Sequence, residues 1–300
     1  MNLIKEIEKL KIGKVEKNAS LKKYTTYKAG GRADIIVTPK DVDKLIELLK
    51  LLKKESIGYK ILGNGSNLIF SDKPYKNVLI KLSELNECTI NDTVVKAGAG
   101  HSLIALALKC SKQGLTGLEF ATGIPGTVGG AVFMNAGAYK SDMGYIVSEI
   151  KVLTPELNIV TMYNKDLHFK YRSSFLQRNK DYICLEATIV LKHGNKKVIK
   201  ELIEERRQKR IMTQPLEFPS AGSVFRNPEG DYAWRLIDLC GLKGYKIGGA
   251  EVSEKHANFI INTGNASGKD IHDLILHVKD TVKKETGVEL KIEQEFVNWE

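Results

Sequence analysis

Apolar residues recur at helical spacing along several stretches of the chain, and most of these stretches carry their own start and stop signals. After Pro39, residues Val42, Leu45, Leu48, Leu49 and Leu52 form one stripe, with Asp41 placed to cap the helix they predict. Leu103, Leu106, Ala107 and Cys110 predict a second helix, capped by Ser102 and closed by Gly114. In SGKDIHDLILHVKDTVKKETG the stripe is Ile271, Leu274, Ile275, Val278 and Val282, and Ser267 with Asp270 forms a capping box. His272 and His277 lie off that stripe and are expected to face solvent. A charged helix is expected over 196–210, and another in DYAWRLIDLCG, with Asp231 at its start and Gly241 just past its end. YKILG (59–63), VLIKL (78–82) and TVVKAGAG (93–100) read as strands. So do IVSEIKVLT, NIVTMY and YICLEATIVLKH between Ile146 and His193. The class is α+β, with a boundary near 193–198 that separates a region 1–195 (parts about 1–85 and 86–195) from a smaller one, 196–300.

Composition narrows what such a chain does. With 42% hydrophobic and 27% charged residues over 300 positions, it builds ordinary cores in two domains. No window reaches the apolar length of a membrane span. The N-terminal MNLIKEIEKLKIGKVEK sets Leu3, Ile4, Ile7 and Leu10 among charges instead of in an uninterrupted apolar run, so a cytoplasmic protein is expected. Cys88, Cys110, Cys184 and Cys240 form no CxxC pair, and the six histidines include no HExxH, so neither a disulfide framework nor a metal is expected. The net charge of +10 admits nucleic acid, an anionic membrane or small phosphorylated ligands as partners. Basic residues are spread along the chain, and the densest cluster, EERRQKR, continues an amphipathic helix. No zinc-finger or RNP pattern accompanies it. A monomer that takes small anionic ligands, and neither nucleic acid nor membrane, is the expectation.

The candidate chemistry begins at GIPGTVGGAVFMNAGAY (123–139). Gly123, Gly126, Gly129, Gly130 and Gly137 interrupt any regular element and let bare backbone approach a ligand. Pro125 fixes a bend, and Asn135 adds donors and acceptors. GNGSNL (63–68) follows a strand as a phosphate cradle does, but Leu68 stands where G-x-G-x-x-G needs its third glycine. GAGHSL (98–103) fails likewise at Leu103, and no P-loop occurs.

GNGSNL, GIPGTVGGAVFMNAGAY, YRSSF, AGSVFRNP and GGAEVSEKHANFIIN stand in the order found in the UDP-N-acetylenolpyruvoylglucosamine reductases. The chain resembles that family from KAGGRAD at 28–34 to Glu293, in the form without the extra tyrosine-bearing loop. The resemblance implies the FAD fold shared with p-cresol methylhydroxylase and vanillyl-alcohol oxidase, followed by a substrate-binding domain. It places Gly63, Asn64, Gly65, Ser66, Asn67 and Leu68 at the flavin, with Gly123, Ile124, Pro125, Gly126, Thr127, Gly129, Gly130, Ala131, Asn135, Gly137 and Ala138. The first loop carries no histidine for a covalent link, so FAD is expected to bind non-covalently.

The implied reaction belongs to peptidoglycan precursor synthesis: NADPH reduces the flavin, and UDP-N-acetylglucosamine enolpyruvate is then reduced to UDP-N-acetylmuramate. Hydride arrives at C3 and charge develops at C2 and its carboxylate, which calls for a cation and an acid. By the resemblance the cation is Arg172 beside Tyr171, the acid is Ser223, and Glu293 is the second catalytic group. The family pattern there is typically Leu-x-x-Glu-Val-Arg, whereas Leu290 is followed by Lys291, Ile292, Glu293, Gln294 and Glu295, which leaves Glu295 a competitor. Arg226 and Asn227 resemble nucleotide contacts, and Lys246 and His256 are further candidates. A sugar or hydroxy-acid oxidase of the same fold, and a non-catalytic nucleic-acid-binding protein, are the alternatives.

Overall fold

The computed structural model describes residues 3–299, which divide into two compact units. The first comprises the described residues up to Lys17, Ile35–Gly63 and Asn77–Gln208; the second comprises Asn18–Asp34, Asn64–Lys76 and the described residues from Lys209 onward. This division differs from a single cut at 195/196. Two early segments join the C-terminal unit, and the helix Lys196–Thr213, three residues longer than expected, contains the later boundary.

In the first unit, Asp41 accepts the Lys44 N–H and starts the helix Val42–Lys54, whose Leu45, Leu48, Leu49 and Leu52 are buried. Each such side chain contributes about 1.5–3 kcal/mol relative to an exposed one. Tyr59–Leu62 runs parallel to Tyr75–Lys81, with Tyr59 opposite Val78. Beyond residue 85 an antiparallel sheet takes the order Ile159–Tyr163, Val147–Leu153, Ile183–Val190, Val94–Gly98, Cys88–Asn91. Ile183–Val190, at its centre, is buried through most of its length, as a strand flanked on both edges requires. Ser102 caps Leu103–Lys112, which buries Leu103, Leu106, Ala107 and Cys110 in the same core.

In the second unit, Lys246–Ile247, Ala250–Val252 and Ile260–Asn262 form an antiparallel sheet. Its helix, Gly268–Thr286, has the capping box of Ser267 and Asp270, ends at Gly287 in the left-handed region, and buries the expected stripe. Glu295–Val297 runs parallel to Leu68–Phe70. Some local expectations change here. His272 and His277 are half-buried rather than solvent-facing, because aromatic rings cover them: His272 stacks on Trp299 at 4.0 Å and His277 on Tyr245 at 4.4 Å. Asp231 does not cap Ala233–Leu239. Its carboxylate takes the Tyr232 N–H, and Asn227 Oδ1 accepts the Ala233 N–H at 3.1 Å instead. Among the described residues no helix is long and apolar enough to cross a membrane.

Candidate functional site

The glycine-rich segment folds as a turn and a short helix, Val128–Met134, capped by the Thr127 hydroxyl, which accepts the Gly130 N–H at 3.3 Å. GAGHSL serves it as a scaffold: the Ala99 and His101 carbonyls accept the Gly129 and Val128 N–H groups, and Leu103 N–H reaches the Gly126 carbonyl. The helix's first donors are therefore engaged within the protein. What the turn presents is bare backbone around one hydroxyl. A β-carbon at Gly63 would lie 3.0 Å from Thr127 Oγ1, and one at Gly130 3.3 Å from the same atom. Thr127 Oγ1 accepts inward and keeps its proton to donate. Glycines without side chains around the buried Thr127 fit a cofactor phosphate or ring edge approaching to backbone distance. Ile124, Pro125, Gly126, Gly137 and Ala138 flank it with part of their surface open, and Ala131 is buried beneath.

Asn135 is buried and its amide is used internally: Nδ2 donates to the Lys170 carbonyl at 2.9 Å, and Oδ1 accepts the Gly144 N–H at 2.9 Å. It thereby fixes the YRSSF loop instead of presenting its amide outward. Lys170 and Ser173 exchange backbone hydrogen bonds of 3.0 and 2.9 Å, so Tyr171 and Arg172 form a two-residue tip. Arg172 is left-handed there (φ 52°), a conformation that costs a non-glycine residue about 1–2 kcal/mol. Its guanidinium donates to the Gly137 carbonyl at 2.9 Å and lies 5.2 Å from the centre of the exposed Tyr171 ring. Ser174, fully buried, donates to the Phe133 carbonyl at 2.7 Å and fastens the loop's other end.

In the second unit a short ladder joins the other candidates. Phe225 bridges Ile292, Glu293 N–H donates to the Val224 carbonyl at 2.8 Å, and Arg226 N–H donates to the Lys291 carbonyl at 2.9 Å. Ser223 enters this ladder one residue before Val224, and its hydroxyl makes no hydrogen bond to another described residue. Glu295 instead pairs with Leu68, and Asn67 links the strands by donating to the Glu293 carbonyl at 3.1 Å. The ladder thus sets Glu293, not Glu295, beside the serine segment. In GNGSNL the chain changes unit after Gly63. Gly65 is left-handed (φ 61°), and a β-carbon there would lie 2.0 Å from the Tyr24 carbonyl oxygen, so no other residue fits. Asn64 is exposed, and Ser66 and Asn67 keep part of their surface.

The remaining candidates spread out. Asn227 is exposed and caps the next helix, while Arg226 is half-buried with its Nε unpartnered among the described residues. Lys246 pairs with Glu251 at 3.2 Å. Burial holds the His256 imidazole below its ordinary range, and Nδ1 accepts the Asn258 N–H at 3.2 Å. With a folded pKa below the unfolded value of about 6.5, the unfolded chain takes the proton first as pH falls. The stability that depends on the neutral ring is complete above about pH 6.5 and is lost as the pH drops towards the lower folded value. Denaturant unfolding at about pH 7.5 and 5.5 is expected to show that loss, and His256→Gln to remove it. An equal loss in the variant would assign it to another group.

Residues 33–163 match the model of an FAD-binding domain, and residues 214–297 match that of the C-terminal domain of UDP-N-acetylenolpyruvoylglucosamine reductase. The fold is the p-cresol methylhydroxylase type, and the class is a flavoprotein oxidoreductase. A UDP-N-acetylenolpyruvoylglucosamine reductase from Caldanaerobacter subterraneus is 48% identical, covering 98% of this chain and 96% of its own. That of Halalkalibacterium halodurans is 45% identical over 98% of each. The crystal structure of UDP-N-acetylenolpyruvylglucosamine reductase from Thermus caldophilus superposes with a TM-score of 0.81 at 34% identity, covering 94% of this chain and 98% of its own. The chain belongs to the UDP-N-acetylenolpyruvoylglucosamine reductase family.

Proposed function

We propose that this protein reduces UDP-N-acetylglucosamine enolpyruvate to UDP-N-acetylmuramate with NADPH, through non-covalently bound FAD, in the cytoplasm and as a monomer. The observation that supports the reading is the ladder in which Glu293 pairs with Val224, the residue after Ser223, while the serine hydroxyl makes no hydrogen bond to another described residue. Family membership over 98% of the chain supports it. Bound FAD supplies hydride storage between NADPH and the vinyl carbon C3. Bare backbone at Gly63, Gly123, Gly126, Gly129, Gly130 and Gly137, the Thr127 hydroxyl, and the 64–68 loop hold it. Ile124, Pro125 and Ala138 add apolar contact, while Ala131 and Asn135 support the turn from within. Residues 1–195 supply most of this region and 196–300 most of the substrate-binding part, with Arg226 and Asn227 on the nucleotide.

The residues of the chain then divide the work on the enolpyruvyl group. Arg172 holds the carboxylate with a planar fork of donors that stays charged throughout. As hydride reaches C3, electron density moves to C2 and into that carboxylate, where the guanidinium opposes it most strongly. Ser223 donates its hydroxyl proton to C2, which completes the lactyl ether. Glu293 is the second acid–base group, held to the same ladder.

The test is anaerobic absorbance of the purified protein: yellow at the start, bleached by limiting NADPH, and yellow again on adding the enolpyruvyl sugar nucleotide. Return of colour only on admitting air would replace this reading with an oxidase of the same fold. A colourless protein that FAD does not reconstitute would overturn it.

A further inference from the structure

The Ser223 turn is held by buried amides that the reaction itself does not use. Gln294 is 4% exposed, and its Nε2 donates to the Ala221 carbonyl at 3.1 Å and the Gly222 carbonyl at 3.3 Å. Carbonyls only accept, so the amide's nitrogen must face the turn and its oxygen must face away. That oxygen accepts the Tyr27 hydroxyl at 2.9 Å. Tyr27 is 1% exposed, and burial raises its phenol above the ordinary range, so it stays a donor. Its own carbonyl accepts Asn262 Nδ2 at 2.8 Å, and Asn262 N–H returns to the Pro219 carbonyl at 2.9 Å, just ahead of the turn. On the far side Asn258 grips Phe225 twice, Nδ2 to its carbonyl at 2.8 Å and Oδ1 from its N–H at 2.9 Å.

We infer that the Tyr27–Gln294 pair is a positioning device of this chain that fixes the Ser223 hydroxyl for proton delivery. Gln294 follows Glu293 directly, at the bend before Glu295–Val297, while its side chain spans to residues 221–222, so one amide ties the serine turn to the segment that carries the carboxylate. Gly222 is left-handed (φ 73°), and a β-carbon there would meet nothing within 4 Å, so at this one position no side-chain packing restrains the turn, although Ala221, Val224 and Phe225 on either side are buried. The hydrogen bonds restrain it instead. Loss of the Tyr27 hydroxyl strands Gln294 Oε1 without a partner in the interior, which frees the amide to turn away from the carbonyls.

The inference rests on Ser223 being the proton donor, and the experiment separates the two. Tyr27→Phe and Gln294→Val are each loaded with FAD, and the two half-reactions are followed anaerobically. NADPH-driven bleaching is expected to stay within about twofold, while reoxidation by the enolpyruvyl substrate slows about tenfold with an increased solvent deuterium isotope effect. Without any ligand, hydrogen–deuterium exchange across 221–224 is expected to accelerate in both variants. Gln294→Val removes both the donor and the acceptor of the amide and keeps the test open should Tyr27→Phe fold poorly. Equal slowing of both half-reactions, or unchanged exchange across 221–224, would overturn the inference. If Ser223→Ala reoxidises normally, the donor assignment fails on its own. If Ser223→Ala is slow and both pair variants are normal, only the positioning role fails.

Discussion

Ser223→Ala is expected to leave NADPH-driven flavin reduction within about twofold of the parent protein and to slow reoxidation by the enolpyruvyl substrate by about 10²–10⁴-fold. The asymmetry follows from where a proton is needed. Hydride transfer from NADPH requires no acid at C2, whereas the second transfer leaves charge at C2 that must be protonated. The turn is held through Gln294 and Asn258, not through the serine hydroxyl, so removing that hydroxyl disturbs no hydrogen bond to another described residue. Thermal stability is accordingly expected to change little. Anaerobic stopped-flow at the flavin absorbance band reads the two steps separately. Equal loss in the two steps would withdraw Ser223 from the proton-donor role.

Arg172→Lys is expected to slow the same second step by about 10²–10³-fold, with a weaker substrate dissociation constant and near-normal reduction by NADPH. The lysine keeps the charge but not the planar fork, and it cannot reproduce a guanidinium that is anchored on Gly137 and aimed by the tip of the Lys170–Ser173 turn. The left-handed backbone at 172 persists in the variant, so the comparison isolates the head group. Titration of oxidised flavin with substrate checks binding, and single-turnover reoxidation checks the rate. A variant within threefold in binding and rate would remove Arg172 from the carboxylate.

Much of the site was legible because its signals are local. Glycine density at 123–139 declares a close backbone approach whatever surrounds it, but Gly129 and Gly130 do not interrupt every regular element as expected: both lie inside the helix Val128–Met134, which the Thr127 cap and tertiary contacts hold. The capping residues Asp41, Ser102 and Ser267 also act within one helical turn, and the structure has all three in that role. GAGHSL was a different case. It fails the phosphate fingerprint, and its use as a scaffold for Val128 and Gly129 depends on a pairing across about thirty residues. Asn135 reads as a ligand donor in sequence, yet its amide closes on Lys170 and Gly144. The His272 and His277 expectation failed because helical periodicity gives the direction of a side chain, not what an aromatic residue elsewhere lays over it.

By itself the sequence determined the element types, the reading of the glycine segments and, through five ordered motifs, the family and its chemistry. These depend on backbone preference and on residues close together in the chain. Only the tertiary structure decided which segment each of two neighbouring carboxylates pairs with. Two-residue spacing alone leaves Glu293 and Glu295 equivalent, and it is pairing with Val224 in one case and Leu68 in the other that separates them. The same holds for Gln294, to which the sequence reading gave no role. Its partner, Tyr27, lies 267 residues away, and no local rule reaches that far.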